Sequence, residues 1–164
     1  MGTGGFDHRQ SAQSCGGPKK STPTAEALGR SRGGFSSKLH AIVDALGNAV
    51  GLRLTGGHQA DCTQLPALLD GLLQSPGKVV TDKAYDTNKV LASIALHQAE
   101  AVIPPKANRL DQRTYDEHLY ADRNKVERLF GRLKEARGFA TRYEKTATSF
   151  LAVAHLLAAL DWLR

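Results

Sequence analysis

The chain has 164 residues, with 22 Lys and Arg against 16 Asp and Glu, a formal net charge of +6 and a pI near 9.5. That length supports one hydrophobic core, and the charge suits an acidic partner such as nucleic acid without requiring one. Cys15 and Cys62 are too far apart in sequence for a paired-cysteine zinc motif, and the opening "MGTGGFDHRQ" lacks a signal-like apolar run, so a reducing cytoplasm is expected.

Residues 1–34, rich in Gly, Ser, Thr, Pro and Lys and without an apolar period, read as a flexible basic arm ahead of a domain over 35–164. "FSSKLHAIVDA" and "AVGLRLTGG" alternate on either side of "LGN" and predict a β-hairpin, with Asp44 in its turn. Asp61 with Gln64 resembles a capping box opening the helix "CTQLPALLDGLL". "KVVTDKAYD" begins with a short apolar strand of the type buried on both faces. The helix "TNKVLASIALHQA" follows, with Asp86 expected as its N-cap, and then "EAVIPP" predicts a strand closed by prolines. After a polar loop, "LYADRNKVERLFGRLKEARG" predicts a helix over 119–138 and "FLAVAHLLAAL" a core helix within 147–163. That last stretch is too short to span a bilayer, so no membrane is expected. Antiparallel strands followed by βαβ units predict an α/β fold: a mixed sheet flanked by helices.

The positive charge concentrates late. Between Arg123 and Lys145 there are eight Lys and Arg against three Glu. Within that segment Val126, Leu129, Phe130 and Leu133 recur at the helical interval and must face the core. Tyr120, Arg123, Glu127, Gly131 and Lys134 then share one flank of a continuous helix. A solvated face with an Arg123–Glu127 pair is the ordinary reading of such a flank. Asp82, at the end of an apolar strand, is the second candidate, because ligands and catalytic groups gather at the C-terminal ends of strands in open α/β sheets. Strand-ending or helix-capping is its ordinary reading. Two such carboxylates on packed elements are oxygen donors suited to a hard divalent cation. The six histidines show no metal-ligand spacing.

Tyr120, Arg123, Glu127 and Lys134, taken together, resemble the signature around the last acidic residue of the DDE transposases of bacterial insertion sequences. "VVTDKAYD" resembles the block around the second catalytic Asp of that family. "GRSRGGFSSKLHAIVDALGNAVGLRLTGGHQAD", "AEAVIPPKANR" and "ATRYEKTATSFLAVAHLLAALDWL" extend the likeness from about Ala27 onward. Ala84 stands where the family often has Gly. The resemblance implies a ribonuclease H-like catalytic core, Mg²⁺ or Mn²⁺, and DNA cleavage and strand transfer at terminal inverted repeats, with target DNA as a further partner. It makes Asp82 and Glu127 the catalytic, metal-holding second and third members of the triad. Tyr120, Arg123 and Lys134 fall on accessory positions near DNA, and Arg128, Arg132, Arg137 and Arg142 are expected to join them in meeting phosphates.

The family's first Asp lies on the first, central strand, which should end just before His8 by this alignment. Only "MGTGGFD" precedes that point, and Asp7, next to Gly4, Gly5 and Phe6, is not accepted as the ligand. The first central strand is therefore expected to be largely missing, leaving a gap between the hairpin and the Asp82 strand with two exposed edges and a tendency to aggregate. On this reading the chain is the C-terminal catalytic portion of a transposase, inactive alone, and either a decayed fragment or the second frame of a frameshifted product. The alternative is a non-catalytic module that binds DNA or associates with itself, with full-length transposase or with the upstream-frame product.

Overall fold

The computed structural model describes residues 2–9, 27–31, 34–110 and 112–164, the side chains of residues 3, 5–9 and 31 excepted. A six-stranded mixed sheet is built from β1 (Gly2–Arg9), β2 (Gly29–Ser31), β3 (Gly34–Val43), β4 (Ala49–Gly56), β5 (Lys78–Val80) and β6 (Glu100–Val102). β3 pairs antiparallel with β1 on one side. It pairs antiparallel with β4, and at its start with β2, on the other. β5 runs parallel to β1, and β6 parallel to β5. The hairpin closes where Asp44 Oδ1 accepts the backbone N–H groups of Leu46 and Asn48, both at 2.9 Å, and Gly47 takes a φ of 93° that favours glycine.

Period-two alternation along β3 divides the core. Leu39, Ala41 and Val43 face α4 (Asn124–Lys134), α5 (Arg137–Ala140) and α6 (Ala147–Asp161), meeting Val126, Leu129, Phe130, Leu133, Phe139, Phe150 and Ala154. Ile42 faces the opposite layer, made by α1 (Leu65–Asp70) and α2 (Asn88–Leu96), where Leu65, Leu69, Val79, Val90 and Ile94 are buried. The four apolar positions of the basic helix expected to face the core are all buried.

Four expectations need correction. The central place in the sheet is filled: β1 lies between β3 and β5, so the predicted gap is absent and the "missing" strand is residues 2–9. Its glycines conceal it in the sequence, since Gly lowers strand propensity, yet Gly4 suits it because α4 packs against the strand there at close range. Within the arm expected over 1–34, residues 2–9 and 29–31 are strands, and 10–26 lie outside the described residues.

The helix expected over 119–138 is broken. α3 (Glu117–Ala121) ends at Asp122, and the N–H groups of Arg123 and Lys125 bond three residues back, to Tyr120 and Asp122 carbonyls, which tightens the link to α4. α3 is opened by Asp116, whose Oδ1 accepts the N–H groups of His118 and Leu119.

The fourth correction concerns caps. Thr87, not Asp86, caps α2 by accepting the Val90 N–H at 3.3 Å. Asp61 opens a single 3₁₀ turn, Asp61–Thr63, without capping it. Gln64 bonds Arg53, Gln59 and Thr63 side chains rather than completing a capping box.

Candidate active site

Asp82 follows the C-terminal end of β5, on extended backbone with φ −76° and ψ 170°, and its Oδ1 accepts the Ala84 N–H at 2.8 Å. The ordinary capping role is therefore real, but one carboxylate oxygen satisfies it. Gly2 of β1 pairs with Val80 of β5, and the parallel register continued by two residues sets Gly4 level with Asp82. Across from them α4 lies on β1, with Glu127 in its first turn. Gly4, Asp61, Asp82, Tyr85, Arg123, Val126, Glu127 and Phe130 line one cleft of about 180 Å³. The fold thus brings Asp82 and Glu127 to a single opening at the C-terminal end of a parallel strand pair.

Glu127 is well exposed and pairs with Arg123, Nη2 to Oε1, at 3.2 Å. The Arg123 guanidinium lies 5.9 Å from the centre of the Tyr120 ring, and Tyr120 meets Tyr115 edge-on at 5.5 Å. Tyr120, Arg123 and Glu127 therefore stay together although the helix breaks between them, because the tightened link takes the place of a regular turn.

The third acid in the cleft, Asp61, was not legible as a site residue. Its Oδ1 lies 3.3 Å from both Lys38 Nζ and His40 Nδ1. Burial raises its carboxyl pKa, but the bonds to His40 and the charge of Lys38 more than offset this and leave it below the ordinary value. A signal was present: Lys38 and His40 sit two apart on one face of a buried strand, and inward-facing basic groups call for an acidic partner.

A second site residue passed over is Asp86, whose carboxylate is fully buried. It accepts the Lys106 N–H at 2.8 Å, Arg109 Nε at 2.8 Å and Arg113 Nη2 at 2.5 Å, strapping the loop after β6 against the turn that carries Asp82. Burial raises this carboxyl, and those three donors bring it below its usual range.

The expected phosphate-contacting residues divide. Arg128, Lys134 and Arg137 are exposed on the α4–α5 side. Arg142 is a correction: it is 3% exposed, bonds Ser37 Oγ and stacks 5.1 Å over Phe150, which removes it from the surface. Arg132 is another, held by Asp161 at 2.8 and 2.9 Å and by the Gly47 carbonyl at 2.9 Å as a tie between α4, α6 and the hairpin turn. Asp7 lies in β1 opposite Lys38.

The cleft's acids are hard oxygen donors of the kind that divalent cations take. Among the described residues, no three His, Cys, Asp or Glu side chains stand close enough to hold an ion as they are placed. No described helix is long and apolar enough to cross a membrane.

Residues 9–162 match the family model described as "Transposase DDE domain". Over 131 residues, 79% of this chain and the whole length of the relative, the sequence is 42% identical to a Brucella ovis protein named "Putative transposase for insertion sequence element IS6501". No solved structure matches the chain.

Proposed function

The chain belongs to the transposase DDE domain family, and from that membership we propose that it is the catalytic portion of an insertion-sequence transposase, acting in DNA cleavage and strand transfer at terminal inverted repeats. The observation that carries this reading is the meeting of Asp82 and Glu127, remote in sequence, in one cleft. We place the cleft in a ribonuclease H-like domain over 35–164 completed by β1. The order β4-β3-β1-β5-β6, with an antiparallel hairpin on one side of a central strand and parallel strands on the other, supports that assignment.

In the proposed reaction Asp82 and Glu127 would hold Mg²⁺ or Mn²⁺. Such an ion, when bound, supplies a Lewis acid for the phosphodiester and lowers the pKa of a bound water. The protein's own contribution is placement. Asp82 is fixed by its bond to Ala84 N–H, and the turn behind it is fixed by Asp86. Arg123, Arg128, Lys134 and Arg137 offer positive charge that positions the DNA backbone without reading its bases. Tyr120 holds the Arg123 guanidinium over its ring beside the cleft. Gly4, the residue of the central strand that lines the cleft, brings no carboxylate, so the chain alone is expected to bind terminal DNA well and cut it slowly. We place the protein in the bacterial cytoplasm, on DNA when engaged.

The test pairs a gel-shift assay with a cleavage assay on terminal-repeat duplexes, each with and without Mg²⁺. Preferred binding to the terminal repeat, with metal-dependent cutting that disappears in Asp82→Asn and Glu127→Gln, is the expected result. Cutting at wild-type rate by both variants would remove the two acids from the mechanism.

A further inference from the structure

We propose that the outer face of α6 is a two-fold docking surface for a second copy of this chain, on which the two α6 helices pack antiparallel. The surface is separate from the cleft, since no residue lining the cleft lines either groove beside α6.

α6 is apolar on both sides. Phe150, Ala154 and Ala158 face the core. On the opposite side, at successive steps of four, three and four residues, stand Ala152, Leu156, Ala159 and Leu163, all exposed, Leu156 at 61% and Leu163 at 84%. Those steps are the interval of a seam between two packed helices. From Ala147 to Leu160 the helix carries no Asp, Glu, Lys or Arg. Depletion of charge marks the centre of a protein interface, whereas a solvated helix face is charged. A groove runs along each flank of this ridge. One of about 290 Å³ lies between α6 and the end of α4 and is lined by Leu133, Ala136 and Leu157. The other, of about 340 Å³, lies between α6 and β4 and is lined by Val50, Leu52 and Trp162. The last turn of α6 is tied down on both flanks, by Asp161 to Arg132 and by Trp162 Nε1 to the Ala49 carbonyl at 2.9 Å. The ridge is thus fixed before a partner arrives, which lowers the ordering cost of docking.

The order of large and small residues identifies the occupant as a second copy. Turning α6 end over end about a point between Leu157 and Ala158 sets Leu156 opposite Ala159 of the partner subunit and Leu163 opposite Ala152 of the partner subunit. Two-fold symmetry makes each contact twice. Every leucine of the seam then fills the space over an alanine, the large-against-small alternation that closes a helix pair without voids. A parallel two-fold pair would set Leu156 against itself and Ala159 against itself, a crowded layer beside an empty one. The size also suits. A helix of 15 residues is about 22 Å long, and the ridge with its two grooves is about three helix diameters wide, roughly 650 Å² per copy. Counted on both copies, that area reaches the range of a standard specific interface.

The test is analytical ultracentrifugation of the full chain, with the emission of Trp162, the single tryptophan, followed in parallel. The expected result is twice the 17.7 kDa chain mass, a dissociation constant at or below about 10 μM, and a blue shift of Trp162 over the same concentrations. Leu156→Glu should raise that constant at least about thirtyfold, the loss of a central contact, while the melting curve stays in place because the side chain is exposed. Ala159→Leu should also weaken pairing, by setting leucine against leucine. Leu156→Ala combined with Ala159→Leu should restore it, because leucine again meets alanine. A chain that stays monomeric at tenfold higher concentration leaves the face to a different protein and overturns the proposal. So does a larger polymer in place of a dimer, or a dimer indifferent to Leu156→Glu. Failure of the double variant to regain pairing overturns the antiparallel register. Should a variant lose its fold, the mass of the unsubstituted chain still decides.

Discussion

Gly4 of the central strand and Val126 of α4 approach so closely that a Cβ on Gly4 would lie 2.8 Å from Val126 Cγ1, inside any real carbon contact. Val126 is buried and cannot swing into solvent. Gly4→Ala should therefore cost about 1–3 kcal/mol in urea unfolding, the range for overpacking a closed core. Val126→Ala opens a cavity of its own, but the pair should be less destabilised than the sum of the single variants, because each change relieves the other. A neutral Gly4→Ala would mean that β1 does not lie under α4 as described.

Arginines that look alike in sequence should separate in the laboratory. Arg142 is buried, with a left-handed φ of 49°, so Arg142→Ala should lower stability by about 2 kcal/mol through its lost charged hydrogen bond and its lost stacking on Phe150. Arg128→Ala and Arg137→Ala should leave the melting temperature nearly unchanged. On the proposed function each should reduce the salt-dependence slope of DNA binding by about 1. Salt titrations of binding by fluorescence anisotropy, beside thermal melts, check both halves.

What was legible follows from the kind of signal each residue sends. The alternation of Leu39, Ala41 and Val43 and the helical spacing of Val126, Leu129, Phe130 and Leu133 are local periodicities imposed by one buried face, so the hairpin and α4 could be read directly. β1 could not, because its glycines weaken the strand signal and the closest of them, Gly4, is explained only by a helix that reaches it through the fold. The pairing of Asp82 with Glu127 was reachable through the family likeness, whereas Asp61 resembled a cap because an acid before a short apolar run usually is one. Arg132 and Arg142 were counted as surface because sequence records charge and not partners. The partners, Asp161 and Ser37, come from distant elements.

Asp86 should dominate the acid limb of stability. Its folded pKa is held below the unfolded value of about 3.9, so its contribution is present above that pH and is lost as pH falls through the folded value. Asp86→Asn leaves Arg109 and Arg113 without their shared carboxylate. Because those arginines are a quarter to a third exposed, the loss at neutral pH should be about 3 kcal/mol, the low end for a broken buried pair. Unfolding followed by circular dichroism from pH 7 to pH 2 should show a smaller decline below about pH 4 in the variant. Asp61 is shifted in the same direction and supplies part of what remains. An unchanged acid limb in Asp86→Asn would show that the strap does not depend on this ion pair.

Glu127→Gln isolates the chemistry of the cleft from its architecture. The side chain is 63% exposed and its only ion pair in the described structure is the surface contact with Arg123, worth a few tenths of a kcal/mol, so the fold should be retained. Removing a negative charge beside Arg123 and Arg128 should leave DNA binding intact or make it tighter, most visibly at low salt where phosphate contacts dominate. The same change removes a metal-holding oxygen, so Mn²⁺ affinity and any cutting should fall together. Unfolding, or abolished DNA binding, would place Glu127 in the scaffold or the DNA contact surface. Tighter binding together with lost metal affinity is the joint result expected of an acid that faces both the DNA backbone and an ion it helps to hold.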